Sequence, residues 1–341
     1  MILWRKPPTR EDDVQAFLRL AAALLALALA AGPAGQARAQ GYPEKPVRII
    51  VPFAAGGPTD VIARIVGDKL SAALGKQFYV VNQPGAGGNT GTAMAAAAPP
   101  DGHTLLAVST GFMINPSLFA KVPYDPVRDF APITIVAVSP NVMTVNPTVP
   151  ARSVRELIEL IKANPGKYSF ASPGVGSTPH LSGEIFRISR GLDLATVQFT
   201  GAGPAIQSTV GGHTPIAFTA LPPAAPQIRE GTLRALMVTS ETRAPGFPDV
   251  PTAAEAGLPG QEAYTITGIV APAATPRETV ALLHREIVKA AALSDVQKRL
   301  DELGFTVLAG TPEEFAARIK VEMEKWGKVI RDAKIGAEAP K

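Results

Sequence analysis

The stretch RIIVPFAAGGPTDVIARIVG, residues 48–67, contains a complete strand–loop–helix junction. Ile49, Ile50 and Val51 are β-branched and favour an extended backbone. Pro52 ends that run, and Ala54, Ala55, Gly56 and Gly57 carry almost no side chain. From Pro58 onward Ile62, Ile65, Val66 and Leu70 recur on one face of a helix. Proline suits the first helical turn, where its missing N–H loses nothing. Gly57 is placed as the cap and Asp60 at the third helical position, as in a capping box. The loop has no Lys, Arg, His or Ser, so neither a nucleophile nor a cationic phosphate grip is available.

What remains is the backbone. The first turn of a helix leaves N–H groups without partners, and the aligned peptide dipoles make that end positive. Glycine lets such a turn come close to a ligand. A carboxylate or phosphate can then be held without a basic side chain. Three more junctions share the design: NQPGAGGNTGTAM at 82–94, SPGVGSTPHLSGE at 172–184 and TGAGPAIQ at 200–207. A tight turn can need glycine for steric reasons alone, so it is the repetition of the design that points to ligand contact. No Gly-Lys-Ser/Thr follows any of these loops, which excludes a Walker loop. Gly85, Gly87 and Gly91 exceed a dinucleotide fingerprint by one residue.

Outward from these loops, short apolar runs alternate with amphipathic segments. The pattern predicts strands over 47–53, 78–82, 104–109, 133–138, 142–145, 168–171, 196–200, 216–219, 233–239, 266–271 and 305–308. It predicts helices over 60–74, 153–163, 179–189, 277–292 and 312–332. Alternation of this kind means an α/β fold with mostly parallel sheets. The strands are too many for one comfortable sheet. Breaks in rhythm near 140–150 and 260–267 predict two lobes, one from 42–142 with 266–341 and the other from 143–265, with hinge crossings near 142–146 and 265–268.

The chain has 341 residues, 46% hydrophobic, with a net charge of +4, enough for two moderate cores. The aromatic content is 6% and there is no basic run in the body, which argues against a nucleic-acid partner. Cysteine is absent, excluding disulfides and thiolate chemistry. His103, His180, His213 and His284 stand apart from one another, so no metal site is expected. At the N-terminus Arg5, Lys6, Arg10 and Arg19 precede the apolar run LAAALLALALAAG at 20–32, and Ala37-Arg38-Ala39 follows. This reads as a signal peptide cleaved after Ala39, too short to span a bilayer, and export without cysteine suits a bacterial periplasm. Ser177 and His180 could suggest a secreted hydrolase. However, G-x-S-x-G is missing, and Ser177 stands where a helix cap is expected. Asp125 and Asp129 are flanked by proline and read as turn residues.

Several segments together resemble one family: VRIIVPFAAGGPTDVIAR, NQPGAGGNTGTAMAAAAPPDGHTLL, VPYDPVRDFAPIT, ELIELIKANPGKYSFASPGVGSTPHLSGE, TGAGPAIQSTVGGH and LRALMVTSETRAPGFPDVPTAAEAGLPG. They are similar, in the same order, to the periplasmic receptors of tripartite tricarboxylate transporters, the Bug-type receptors, across about 42–335. The resemblance implies a two-lobed, type II periplasmic-binding-protein fold that closes on a small carboxylate, without catalysis and without a cofactor. It implies a monomer that delivers its ligand to the membrane subunits of such a transporter; a sensor kinase is the alternative partner. It places ligand contacts at Phe53, Ala54, Ala55, Gly56, Gly57, Thr59 and Asp60, at Gly87, Gly88, Asn89 and Thr90, and at Ser109. From the second lobe it places Gly174, Val175, Gly176, Ser177, Thr178 and His180, then Thr200, Gly201, Ala202, Gly203 and Ala205. Where the family carries an Asp-Asn pair, Thr219, also expected to touch the ligand, and Ala220 stand here, and Ile266-Thr267-Gly268 lacks the usual Trp. The implied pocket is less acidic and less aromatic than the family's, which favours a mono- or dicarboxylate with an apolar body over an amino acid.

Overall fold

One long strand organises the molecule. In the computed structural model, which describes residues 41–336 apart from Pro245, β4 runs unbroken through Phe130–Val145. All helices and strands among the described residues lie in one compact unit, Lys45–Lys341; before it, Tyr42 and Glu44 form bends. The signal peptide read at 1–39 falls outside the described residues. The sequence pattern gives two strands, 133–138 and 142–145, split at Pro140. The structure corrects this: Pro140 ends no strand, but it marks where β4 changes neighbours. Up to Pro140 the partner is β9 (Tyr264–Pro272), and from Asn141 it is β7 (Ile216–Ala220). Proline cannot donate to a ladder, so it fits where one ladder gives way to another. Asn141 N then donates to Thr239 Oγ1 at 2.8 Å.

On one side of this handover β1 (Val47–Val51) lies parallel to β2 (Phe78–Asn82) and β3 (Thr104–Ser109), and β9 joins β3 to β4 antiparallel. On the other, β5 (Ser169–Ser172) lies parallel to β6 (Ala195–Gln198) and β7. β8 (Arg234–Val238) and β10 (Thr306–Val307) also pair with β4. Each side has its own core. Ile50, Leu106, Phe112, Phe130, Val270 and Phe315 are buried together in the first. Met143, Leu157, Phe170, Phe186, Ile216 and Phe218 fill the second, where Phe170 and Phe218 meet edge to face at 5.3 Å.

The helices begin where the glycine loops end: α1 Pro58–Leu74, α2 Asn89–Ala96, α5 Thr178–Ser189 and α6 Ala202–Val210. The periodic helices α4 (Val154–Ala163), α8 (Arg277–Ala291) and α10 (Pro312–Asp332) match their patterns. Three helices lack such a signal: α3 (Gly111–Leu118), α7 (Leu221–Arg229) and α9 (Ser294–Glu302). Pro116 lies inside α3 and Pro226 inside α7, so both sequences read as loops, yet tertiary burial carries them.

Candidate ligand-binding site

Three helix N-termini meet at one small chamber of about 40 Å³. Gly57, Pro58 and Thr59 bring α1 to it, Ser177, Thr178 and Pro179 bring α5, and Ala202 brings α6. Phe53, Ser109, Pro173, Ala220 and Thr265 complete the wall, so no charged side chain lines it. The caps of α1 and α6, Gly57 and Gly201, have no side-chain acceptor. The first-turn amides of Thr59 and Asp60 in α1, and of Ala202 and Gly203 in α6, therefore have neither a cap nor an intrahelical acceptor. α5 differs: the Ser177 hydroxyl accepts from His180 N at 3.3 Å and donates to Gly174 O at 2.8 Å. Ser177 is a cap, its hydroxyl is occupied by backbone, and the His180 ring is not its partner.

Asp60 shapes the first loop from inside. Its carboxylate accepts from Gly56 N at 3.0 Å, from Arg64 at 3.0 and 2.9 Å, and from Asn82 Nδ2 at 2.9 Å. Asn82 also donates to Phe53 O at 3.0 Å. Burial pushes the Asp60 carboxyl up, but the bonds from Arg64, Gly56 and Asn82 outweigh it and hold it below its usual range. Ala54, Ala55, Gly56 and Asp60 thus build the loop around the chamber without lining it.

The loops of the two sides touch through backbone. Ala54 N donates to Thr200 O at 3.1 Å. A Cβ on Gly201 would come within 3.1 Å of Ala54 Cβ, one on Gly203 within 3.1 Å of Ala55 O, and one on Gly87 within 2.4 Å of Val175 O. Gly87, at φ +65°, stands in a conformation that glycine adopts freely. Close to the chamber Asn141 Oδ1 accepts from Thr265 Oγ1 at 3.0 Å, and the Thr178 and Thr265 hydroxyls are 2.7 Å apart.

Beyond Phe53 and Pro173, which line both spaces, a wider groove of about 950 Å³ opens. Gly87, Gly88, Gly174, Val175, His180 and Thr200 reach it. His180 Nδ1 accepts from Gly176 N at 3.4 Å. Burial drives the His180 pKa down to about 4, against a partial opposing pull from Glu184, so the ring is neutral near pH 7. Asn89, Thr90, Gly176 and Ala205 belong to the helix entrances and line neither space. Thr219 is not among the residues lining the chamber, whereas its strand neighbour Ala220 is. Thr265 and Pro173 are wall residues that the sequence did not single out. The Asn141–Thr265 contact spans 124 positions, and no local pattern signals it.

The ladder order is that of an α/β fold shared with periplasmic binding proteins. A sequence model of the tripartite tricarboxylate transporter family receptor, TctC, matches residues 62–335. Among solved structures, the periplasmic binding protein BugD is 35% identical over 86% of this chain and 99% of its own, with a TM-score of 0.84. An R. palustris protein with adipate is 31% identical over 86% of this chain and 99% of its own, with a TM-score of 0.84. MatC from Rhodopseudomonas palustris with bound malate is 33% identical over 85% of this chain and 100% of its own, with a TM-score of 0.81. The chain belongs to the tripartite tricarboxylate transporter receptor family, whose members are periplasmic solute-binding receptors.

Proposed function

We propose that this receptor encloses a small organic carboxylate, mono- or dibasic with an apolar body, and delivers it to the membrane subunits of a tripartite tricarboxylate transporter. One observation carries the reading: three helix N-termini converge on a chamber that no charged side chain lines. There a carboxylate would be held by first-turn amides and by bridging water. Adipate and malate in the related structures support the ligand class. Residues 42–142 with 266–341 form one lobe and 143–265 the other; the handover at Pro140 and Asn141 supports that division. The lobes close as a hinge around the ligand, and the receptor acts as an exported monomer without a cofactor.

The test is thermal denaturation of the chain from Gln40 against a broad panel of small acids. A bound acid stabilises the folded chain by about 2.7 kcal/mol at a hundredfold excess over Kd. At least one acid raises the midpoint by several degrees, and no acid is turned over. A panel in which no acid moves the midpoint contradicts the proposal.

A further inference from the structure

The chamber and the groove differ too much in size to serve one carboxylate. About 40 Å³ has room for a carboxylate group or two to three waters, not for a whole diacid. Since Phe53 and Pro173 belong to both spaces, a ligand whose first carboxylate sits in the chamber has its body directed into the groove. The groove walls carry Phe53, Phe119, Val175 and Phe199, which suit a hydrocarbon or ring.

Farther along, one face of α5 changes the chemistry. His180, Glu184 and Arg187 follow at positions i, i+4 and i+7, and all three line the groove. Arg187 directs Nε and Nη2 at a single oxygen of Glu184, at 3.1 and 2.6 Å. The other Glu184 oxygen accepts from Thr196 Oγ1 at 2.5 Å. Glu184 is therefore fully engaged and nearly buried, while Arg187 keeps spare guanidinium donors on a side chain 37% exposed. Lys334 lines the same groove and has no ion pair among the described residues. The groove thus offers two cations against one neutralised carboxylate. At 1.5 Å rise per residue, Arg187 lies about 13 Å along α5 from Thr178. Helical side chains lean toward the N-terminus, which shortens the gap to roughly 10 Å.

We infer that the groove is the distal half of the ligand site and that Arg187, assisted by Lys334, receives a second acidic group of an elongated ligand. The preferred solute is then a long diacid with an apolar middle rather than a monoacid or a short diacid. This rests on the carboxylate reading of the chamber and adds the ligand's length and second charge.

Calorimetric titration of the chain from Gln40 with straight-chain diacids of four to ten carbons, and with the matching monoacids, tests it. In the parent chain the longer diacids bind at least tenfold tighter than monoacids of equal length. Arg187→Gln removes that advantage and leaves monoacid affinity within twofold, whereas Arg187→Lys keeps most of it. Because Arg187→Gln leaves the Glu184 carboxylate unpaired, the double variant Glu184→Gln/Arg187→Gln provides a folded control with the same expected loss. Monoacids that bind as tightly as diacids, or variants that weaken both equally, overturn the distal site and leave the chamber reading standing. If no acid of either series binds, the chamber reading falls, and the distal site with it.

Discussion

Asp60 sits in the first loop and braces it from within. Its place at the third helical position reads as that of a capping box, the family resemblance makes it a ligand contact, and the structure pairs it with Arg64 four residues later. Asn82, which joins the same carboxylate, comes from the next strand and leaves no local trace. Asp60→Asn keeps the shape and removes the charge from these bonds. It should lower stability in urea by about 1–3 kcal/mol and weaken acid binding through the loop. Unchanged values for both would contradict the bracing role. His180 gives a pH signature. Its folded pKa of about 4 lies below the ordinary 6.5, so between those values the unfolded chain binds the proton first. Stability is complete above about 6.5 and declines as pH falls toward 4. His180→Gln should flatten the melting profile across that window, and an unaltered slope would place the titration elsewhere.

Among the elements, the junctions were the most legible part of the chain. Loop composition, the proline in the first turn and the helical period agreed at 48–67, and the structure starts α1 at Pro58. The unforeseen elements were those where packing overrides local preference, such as α7 with Pro222, Pro223 and Pro226. The same physics makes the bare caps testable. Gly57 has β-region dihedrals of −82° and 170°, which an aspartate cap adopts, and the nearest neighbours of an added Cβ are 4.0 Å away. In Gly57→Asp the carboxylate serves α1's own amides. Stability should rise by a few tenths of a kcal/mol, while acid affinity falls at least tenfold by calorimetry. A variant that binds as well as its parent would show that α1's amides do not hold the ligand.

At the scale of the molecule, the proposed two-lobed division is read from the rhythm of the chain, but the contacts between its two sides could not be read there. They are backbone approaches between loops distant in sequence, such as Ala54 N to Thr200 O. Gly87 controls one of them. Gly87→Ala places a methyl 2.4 Å from Val175 O in a left-handed backbone, at a local cost of about 1–2 kcal/mol. The variant should fold and bind acid more than tenfold more weakly. Its radius of gyration in solution scattering should not shrink when ligand is added. Compaction equal to the parent's would remove Gly87 from the closing contact.

The most direct measurement is a crystal structure of the chain from Gln40 with its tightest-binding acid. One carboxylate should lie in the chamber between Thr59, Thr178 and Ala202, bonded to first-turn amides directly or through one water, with no lysine or arginine touching that end. An acid whose carboxylates all pair with basic side chains, or which lies wholly outside the chamber, would contradict the account.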